Sequence, residues 1–566
     1  MNRRTNLLSL VLVLVVALFA TSCGSKLRPL SQNNFNVTPS PLETVGMQVP
    51  VAISGTFPEG WFHKNAIVTI TPVLKFDGRE VVGTPQSFQG ENVSGNRTTI
   101  ANRRGGNFTM NSTFNFVPEM QSSELYLRFE TRVRNRQATL PDLKVADGVL
   151  ATSALASVRN TTPSVAPDGF QRIIQAQQES QILFLVNETN LRSSEINSSN
   201  LAEWKRRVEQ AFNDERQNVS VEISAYASPE GPTAVNERLA AGRERVTAQH
   251  LQGELARRNV NTQINAHYTA EDWEGFRQMV AASNIQDRDL ILRVLEMYPD
   301  TETREREIRN ISFVFDELAQ TILPQLRRSR IIANIELIGK TDDEILDYWR
   351  NRPRELSVEE LLYASTLTNN PSEIEQIYQF VTAHFPQDYR GWNNMGTLFY
   401  RTGEFDLAKQ AFDRAAQVSP SAIEVNVNKA LLAMLNNDLA SANELLGRSA
   451  GANSLDEAMG LYNLMQGNYN QAVNSFGSVN TNNAALAQLL VRDYNRAKNT
   501  LQAVANPNAT TAYLLAIIAA RTNNFNDVVS NLRTAISKDP SMARKALNDL
   551  EFAQYRTNQE FRTLLQ

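Results

Sequence analysis

Residues 392–420 read WNNMGTLFYRTGEFDLAKQAFDRAAQVSP. Trp392, Met395, Gly396 and Phe399 precede Gly403, and Ala408, Phe412 and Ala415 precede Pro420, all at helical spacing. The glycine and the proline punctuate two short helices joined by a turn. Small residues at 396 and 408 let the two helices approach, and the phenylalanine fills the gap to the next pair. The pattern returns as Ala430, Ala442 and Leu446, then as Gly460, Ala472 and Phe476. It returns again as Ala485, Ala497 and Leu501, and closes with Ala516, Val528, Leu532 and Pro540, while a looser copy ends at Pro386. Residues 355–566 are therefore expected to form an all-α solenoid of stacked helix pairs.

Position by position, the first unit resembles the tetratricopeptide repeat. The resemblance implies a curved solenoid whose concave face holds protein partners. Arg390, Asn393, Thr397 and Tyr400 are expected to line that face in the first clear repeat, and Val427, Leu431 and Met434 in the next. The face is mixed and turns apolar, without a lysine and arginine cluster to grip a peptide carboxylate.

Upstream, Met1 to Arg4 give a positive start, Leu7 to Ala20 an apolar run, and Ala20-Thr21-Ser22 small residues before the single cysteine, Cys23. That is the order of a secretory signal over residues 1–22. The run is shorter than the roughly 20 residues of a membrane span. A cysteine just after the cut resembles the lipobox of bacterial lipoproteins, which implies a diacylglycerol and further acyl chains on Cys23. Each buried methylene of such chains adds about 0.8 kcal/mol, so the mature protein is expected to be membrane-tethered. Residues 23–45, rich in Ser, Asn and Pro, read as a flexible tether.

From residue 46 to about 160 the period becomes two. Leu125, Leu127, Phe129, Thr131 and Val133 share one strand face, with Tyr126, Arg128, Glu130 and Arg132 on the other. Phe108, Met110, Phe114 and Phe116 repeat the alternation after the Gly105-Gly106 turn, and strands are also expected over 49–53 and 66–76. A β-sandwich of about 110 residues follows, with a binding or docking role.

A third region, 165–340, reads strand, helix, strand, helix, strand over 182–186, 201–213, 219–226, 238–257 and 330–338, with a helical insertion at about 270–326. This is an α/β sandwich. Within it, ISAYASPEGPTAVNERLAAGRERV over 223–246 resembles the signature of the OmpA C-terminal domain family, with Gly231, Asn236, Leu239 and Arg243 at the matching positions. The resemblance implies a peptidoglycan site in which an aspartate takes the amino group of diaminopimelate and an arginine its carboxylate. Arg243 matches that arginine, whereas Ser228 stands at the aspartate position and brings no charge; Glu230 lies two residues on. The family's closing valine position is Thr247, with Val246 one residue early. YTAEDWEGFRQMV, TREREIRN and ILPQLRRSRI extend the resemblance to OmpA-like, repeat-bearing outer-membrane lipoproteins of Bacteroidota.

Other chemistry is argued against. His63, His250, His267 and His384 lie far apart, so no metal site is expected. A net charge of −4 without a basic stripe speaks against nucleic acid. Gly447-Arg448-Ser449-Ala450-Gly451 spells G-x-S-x-G but lies between repeat helices with no histidine beyond His384, so it is expected to be a loop. There is no phosphate loop and no dinucleotide fingerprint, hence no expected cofactor and no expected catalytic residue.

The expected whole is a multidomain chain: β-sandwich, then an OmpA-like α/β sandwich with a helical insertion, then the repeat solenoid. It would work as a non-catalytic, lipid-anchored outer-membrane scaffold, facing the periplasm or displayed on the surface. Its OmpA-like domain would hold peptidoglycan, and its solenoid and β-sandwich would hold proteins. The alternative is an accessory subunit of an outer-membrane assembly, secretion or fimbrial machine that binds no peptidoglycan.

Overall fold

The computed structural model describes residues 29–285, 287–310 and 312–566, which form a sheet-rich N-terminal region followed by many helices. The signal segment and Cys23 lie outside the described residues. The chain divides into two compact units, Met1–Pro167 with Tyr378–Gln566, and Asp168–Ile377.

The first unit begins with two facing sheets. Strands β1 (Phe35–Thr38), β3 (Gln48–Phe57) and β8 (Gly106–Asn115) make one, in the order β1-β3-β8. β4 (Ala66–Phe76), β6 (Gln86–Gly90), β7 (Thr98–Ile100), β9 (Glu124–Val133) and β10 (Arg136–Asp147) make the other, with β5 (Arg79–Val82) pairing β4. The expected alternation is visible in β9, where Leu125, Leu127, Phe129 and Thr131 are buried between more exposed neighbours. Across the sandwich the Phe88 and Phe108 rings lie 4.6 Å apart and Phe35 and Phe129 6.0 Å apart, within the range of favourable aromatic pairs. One boundary differs from expectation. Part of the anticipated tether is folded: β1 pairs β3, and β2 (Leu42–Glu43) pairs in parallel with β11 (Val149–Leu150). Val37 and Leu42 are buried, so two isolated apolar residues outweighed a polar composition.

Residues 378–566 form successive helix pairs where the small-residue pattern placed them. They are Tyr389–Thr402 with Phe405–Val418, Ile423–Leu435 with Leu439–Gly447, and Leu455–Met465 with Tyr469–Phe476, then Asn482–Leu490 with Tyr494–Gln502, and Ala509–Arg521 with Phe525–Lys538. Phe412, Leu446, Phe476, Leu501 and Leu532 are all buried between neighbouring helices. The reason for the small residues is metric. A Cβ on Gly396 would stand 2.5 Å from the Phe412 ring, and one on Gly460 2.6 Å from Phe476. Gly396→Ala is therefore expected to destabilise the first pair by about 1–3 kcal/mol through overpacking, read as an earlier urea midpoint; an unchanged midpoint would show that the ring can move aside.

The second unit carries a four-stranded sheet in the order β12 (Ile173–Leu183), β15 (Arg328–Ile338), β13 (Gln217–Tyr226), β14 (Ile264–Thr269). Helices Ser199–Phe212 and Thr233–Arg257 cover one face, burying Leu201, Trp204, Val208, Leu251 and Leu255 against Ile182, Val221, Ile223, Ile331 and Ala333. The opposite face is polar, with Arg330 paired to Glu179 and Gln177 donating to Asn334. Three strands were expected and four are present, because β14 has one half-buried residue and five exposed ones and so lacks an apolar run. The first strand also runs earlier than the expected 182–186. The helical insertion has its own small core, including Phe276, Val280, Ile291, Leu318 and Leu326.

Candidate protein-binding site

Residues 151–167 leave the sandwich as a short 3-10 turn (Thr152–Leu155) and then run through the solenoid as a strap. They were expected to close the sandwich and open the next domain. Three asparagines of the solenoid hold the strap by its main chain. Asn483 accepts from the Ser157 N–H at 2.9 Å and donates to the Ser157 carbonyl at 2.8 Å. Asn428 accepts from the Ser164 N–H at 2.7 Å and donates to its carbonyl at 2.7 Å. Asn394 accepts from the Ala166 N–H at 2.8 Å and donates to its carbonyl at 3.0 Å. Each amide thus fills both hydrogen-bonding groups of one residue, a pairing that a side-chain amide with one acceptor and two donor hydrogens is built for.

The rest of the strap is held by scattered contacts. The Tyr400 hydroxyl donates to the Val158 carbonyl at 2.5 Å, and Val158 joins the core that contains Val427, Leu431 and Met434. A turn closed by the Thr161 N–H on the Val158 carbonyl leaves Arg159 and Asn160 exposed. Arg159 lies 5.0 Å from the Phe405 ring centre. At the strap's start, Thr152 donates to Glu551, which also pairs with Arg521. Ser164 and Ala166 are 0% and 1% exposed, so the channel fits small side chains at those two places.

Glu457 is the unbalanced group here. Its Oε2 accepts from the Thr162 N–H at 3.3 Å, while its buried Oε1 has no hydrogen-bond partner. Burial raises its carboxyl above the ordinary value of 4.5, and the Thr162 bond opposes that only in part. A carboxyl whose folded value is raised contributes stability that is complete below 4.5 and is lost as pH rises through the raised value. Glu457→Gln keeps an acceptor for Thr162 and removes the charge. The variant is expected to melt at a higher temperature than the parent at neutral pH, the gap closing as the pH is brought down toward 4.5; a gap independent of pH would count against a buried charge.

Of the residues expected on the concave face, Asn393 and Tyr400 meet the strap directly, Asn393 donating to the Ser164 carbonyl at 3.0 Å. Thr397 donates to the Asn394 carbonyl at 2.8 Å within its own helix. Arg390 pairs with Asp388 at 2.6 Å, and Val427, Leu431 and Met434 are buried in the solenoid core. Asn394, Asn428, Asn483 and Glu457 were not singled out from sequence. The signal was there: the three asparagines each stand two residues before the small residue of a first helix, Gly396, Ala430 and Ala485. Ser449 of the G-x-S-x-G run is buried and donates to the Leu445 carbonyl at 2.8 Å.

In the second unit, the residues expected to hold a ligand form a closed charged cluster. Arg243 is 1% exposed and donates through Nε to the Glu188 carbonyl at 3.1 Å, Nη1 to that of Tyr226 at 2.9 Å, and Nη2 to that of Leu185 at 3.2 Å. Its guanidinium also lies 5.2 Å from the Phe184 ring centre. Burial, then the nearby Arg327 charge, pushes its pKa down to about 10, so it stays cationic at neutral pH. Glu230 is bonded to Arg327 at 2.8 Å and accepts from Ser228 Oγ at 2.9 Å. Asn236, in the first turn of Thr233–Arg257, donates to the Glu230 carbonyl at 3.1 Å and to Glu271 at 3.3 Å. From the insertion, Glu305 accepts the Gly231 N–H at 2.6 Å. The guanidinium is thus directed at main chain, and the turn is capped by a carboxylate of the same unit. Among the described residues no group of His, Cys, Asp and Glu is arranged to hold a metal ion, and no helix is long and apolar enough to cross a membrane.

No model of a known protein family matches the chain, and no curated protein does. Among the solved structures similar to parts of the chain are these three. A tetratricopeptide repeat protein from Parabacteroides merdae is 14% identical over 40% of this chain and 89% of its own, with a TM-score of 0.28. PilW, a type IV pilus biogenesis factor, is 14% identical over 40% of this chain and 96% of its own, with a TM-score of 0.26. The APC/C hetero-tetramer Cut9-Hcn1 is 16% identical over 40% of this chain and 46% of its own, with a TM-score of 0.32. The repeats are defined by the chain's own packing.

Proposed function

We propose that this protein is a non-catalytic scaffold, anchored in the outer membrane by a lipid on Cys23, whose solenoid holds extended protein segments. The observation that carries the reading is the set of two-way asparagine contacts, which grip a peptide chain by its main chain inside the helical repeats. Nothing in that grip is specific to chemistry on a bound molecule; it holds and positions. The β-sandwich, joined to the solenoid through the Tyr469 hydroxyl on the Gly46 N–H at 3.0 Å, would present a second protein-binding surface on the same body.

For the OmpA-like unit the reading we favour is docking within an outer-membrane assembly, with no grip on peptidoglycan. It is supported by the burial of Arg243 and by the use of Ser228, Glu230 and Asn236 in bonds internal to the unit. A wall-binding pocket would need that guanidinium turned toward a ligand carboxylate, and hence a rearrangement of three main-chain contacts.

Cell fractionation tests the anchor and the scaffold together. Wild type is expected in the membrane fraction with labelled palmitate incorporated, and Cys23→Ala in the soluble periplasmic fraction without it. A photocrosslinking residue at exposed Arg159 is expected to yield adducts with other envelope proteins in wild type. Retention of the unlabelled variant in membranes would remove the anchor, and the lack of any adduct in wild type would remove the scaffold.

A further inference from the structure

The strap shows what the solenoid recognises. In an extended chain the main-chain groups of residues i and i+2 point to the same side. Asn428 and Asn394 hold Ser164 and Ala166, which are two apart, so they read one edge of an extended segment. Main-chain groups are common to all residues, so these contacts demand an extended conformation without demanding a sequence. Sequence is restricted only by room, and the channel leaves little: Ser164 is 0% and Ala166 1% exposed, whereas Val165 between them is partly exposed.

The strap also leaves part of the site unmet. Glu457 is 6% exposed, its Oε2 receives the strap's Thr162 N–H, and its Oε1 is buried without a partner. On the strap's side, Ser164 Oγ is likewise buried and unpartnered. A segment that donates to Glu457 with both oxygens filled would bind this groove better than the strap does. The strap's advantage is its covalent attachment, which acts as a high effective concentration.

We infer that the channel bearing Asn394, Asn428, Glu457 and Asn483 is a main-chain-reading peptide site that residues 151–167 occupy in cis and vacate for a partner's extended segment with small residues at positions i and i+2. This rests on the scaffold reading above and gives that scaffold its ligand class. The occupant is a stretch of another protein that is extended, with small residues two apart and a donor for Glu457.

The test uses the full mature chain with residues 157–166 replaced by a glycine–serine linker of equal length, and a fluorescent synthetic peptide of residues 151–168. Anisotropy is expected to show saturable binding. N-methylation of the peptide at Ser164 or Ala166, which removes the N–H that Asn428 or Asn394 accepts, is expected to weaken binding by about 30-fold or more, whereas N-methylation at Val165 changes it by less than about threefold. Asn428→Ala in the protein should cost a similar factor. Equal binding of all three methylated peptides, or no binding to a folded linker variant, overturns the inference. If the linker variant does not fold, a protease site is placed at exposed Asn160 of the intact chain and cut after folding, and the same peptides are titrated against the opened strap with the same two outcomes deciding. Loss of peptide binding with crosslinked envelope partners still present would sink this inference alone and leave the scaffold standing.

Discussion

Arg243→Ala is expected to lower the stability of the unit Asp168–Ile377 by about 3–5 kcal/mol, because three buried carbonyls lose their donor at about 1–3 kcal/mol each. Two effects oppose each other. Deleting the guanidinium relieves the cost of burying a cation beside Arg327, the cause of its depressed pKa. It also strips the carbonyls of Leu185, Glu188 and Tyr226 of their donor and leaves a cavity next to Phe184. Hydrogen bonds to a charged donor are worth about 1.5–3 kcal/mol each, and three of them outweigh the relief. Arg243→Lys should rescue little, because an ammonium lacks the planar fork that reaches three acceptors. The measurement is hydrogen exchange of the Gln217–Tyr226 strand under mild urea, paired with sedimentation on insoluble peptidoglycan. The docking reading expects faster exchange in the variant and no sedimentation of either protein. A variant of parental stability that alone fails to sediment would instead restore Arg243 as a wall ligand.

Asn428→Ala should free the strap. The amide fills both main-chain groups of Ser164 and accepts no substitute, since Asn393 reaches only the Ser164 carbonyl. Truncation leaves a buried N–H without an acceptor and breaks the bond from Asn428 to Asn393 Oδ1 at 2.9 Å. Such losses cost about 1–3 kcal/mol for a single unsatisfied group, and the neighbouring bond adds to them. At 1.4 kcal/mol per factor of ten, the Ser164 amide should exchange roughly 30- to 100-fold faster while the solenoid helices keep their protection. Trypsin cleavage after exposed Arg159 should accelerate in step. An Asn428→Ala protein whose strap is as protected as the parent's would mean that burial of Val158 and Ala166, and not the asparagines, keeps the strap in place.

Much of the architecture was legible because it rests on local periodicity. The alternation in β9 and β8 follows from the two-residue period of a strand with one face buried, so Leu125 and Phe129 identify themselves. The helix pairs follow from the spacing of Gly396, Ala408 and Phe412 and of their counterparts, which is a packing requirement written into consecutive residues. The strand expected over 219–226 and the helix expected over 238–257 were legible for the same reason, although the helix begins earlier, at Thr233. β14 was not, because a strand that is almost wholly exposed carries no apolar signature. β1 and β2 were hidden among Ser, Asn and Pro, and are strands only because β3 and β11 supply their partners.

What the sequence determined by itself, then, is which periodic segments are strands or helices, and where helices must approach each other closely. Periods of two and of three to four are local properties, and each residue's neighbours in the chain are enough to reveal them. Tertiary structure alone decided the use of the buried polar groups. Asn394 and Ala166 are separated by 228 positions and Asn483 and Ser157 by 326, and no local pattern links a solenoid asparagine to the residue whose main chain it fills. Arg243 likewise reads as a ligand-binding arginine in its own stretch and becomes a buried donor to main chain only when Leu185 and Glu188 are folded over it. A polar side chain has no intrinsic preference between a partner in solution and a carbonyl of its own chain; the folded geometry that brings one within 3 Å and excludes water makes that choice.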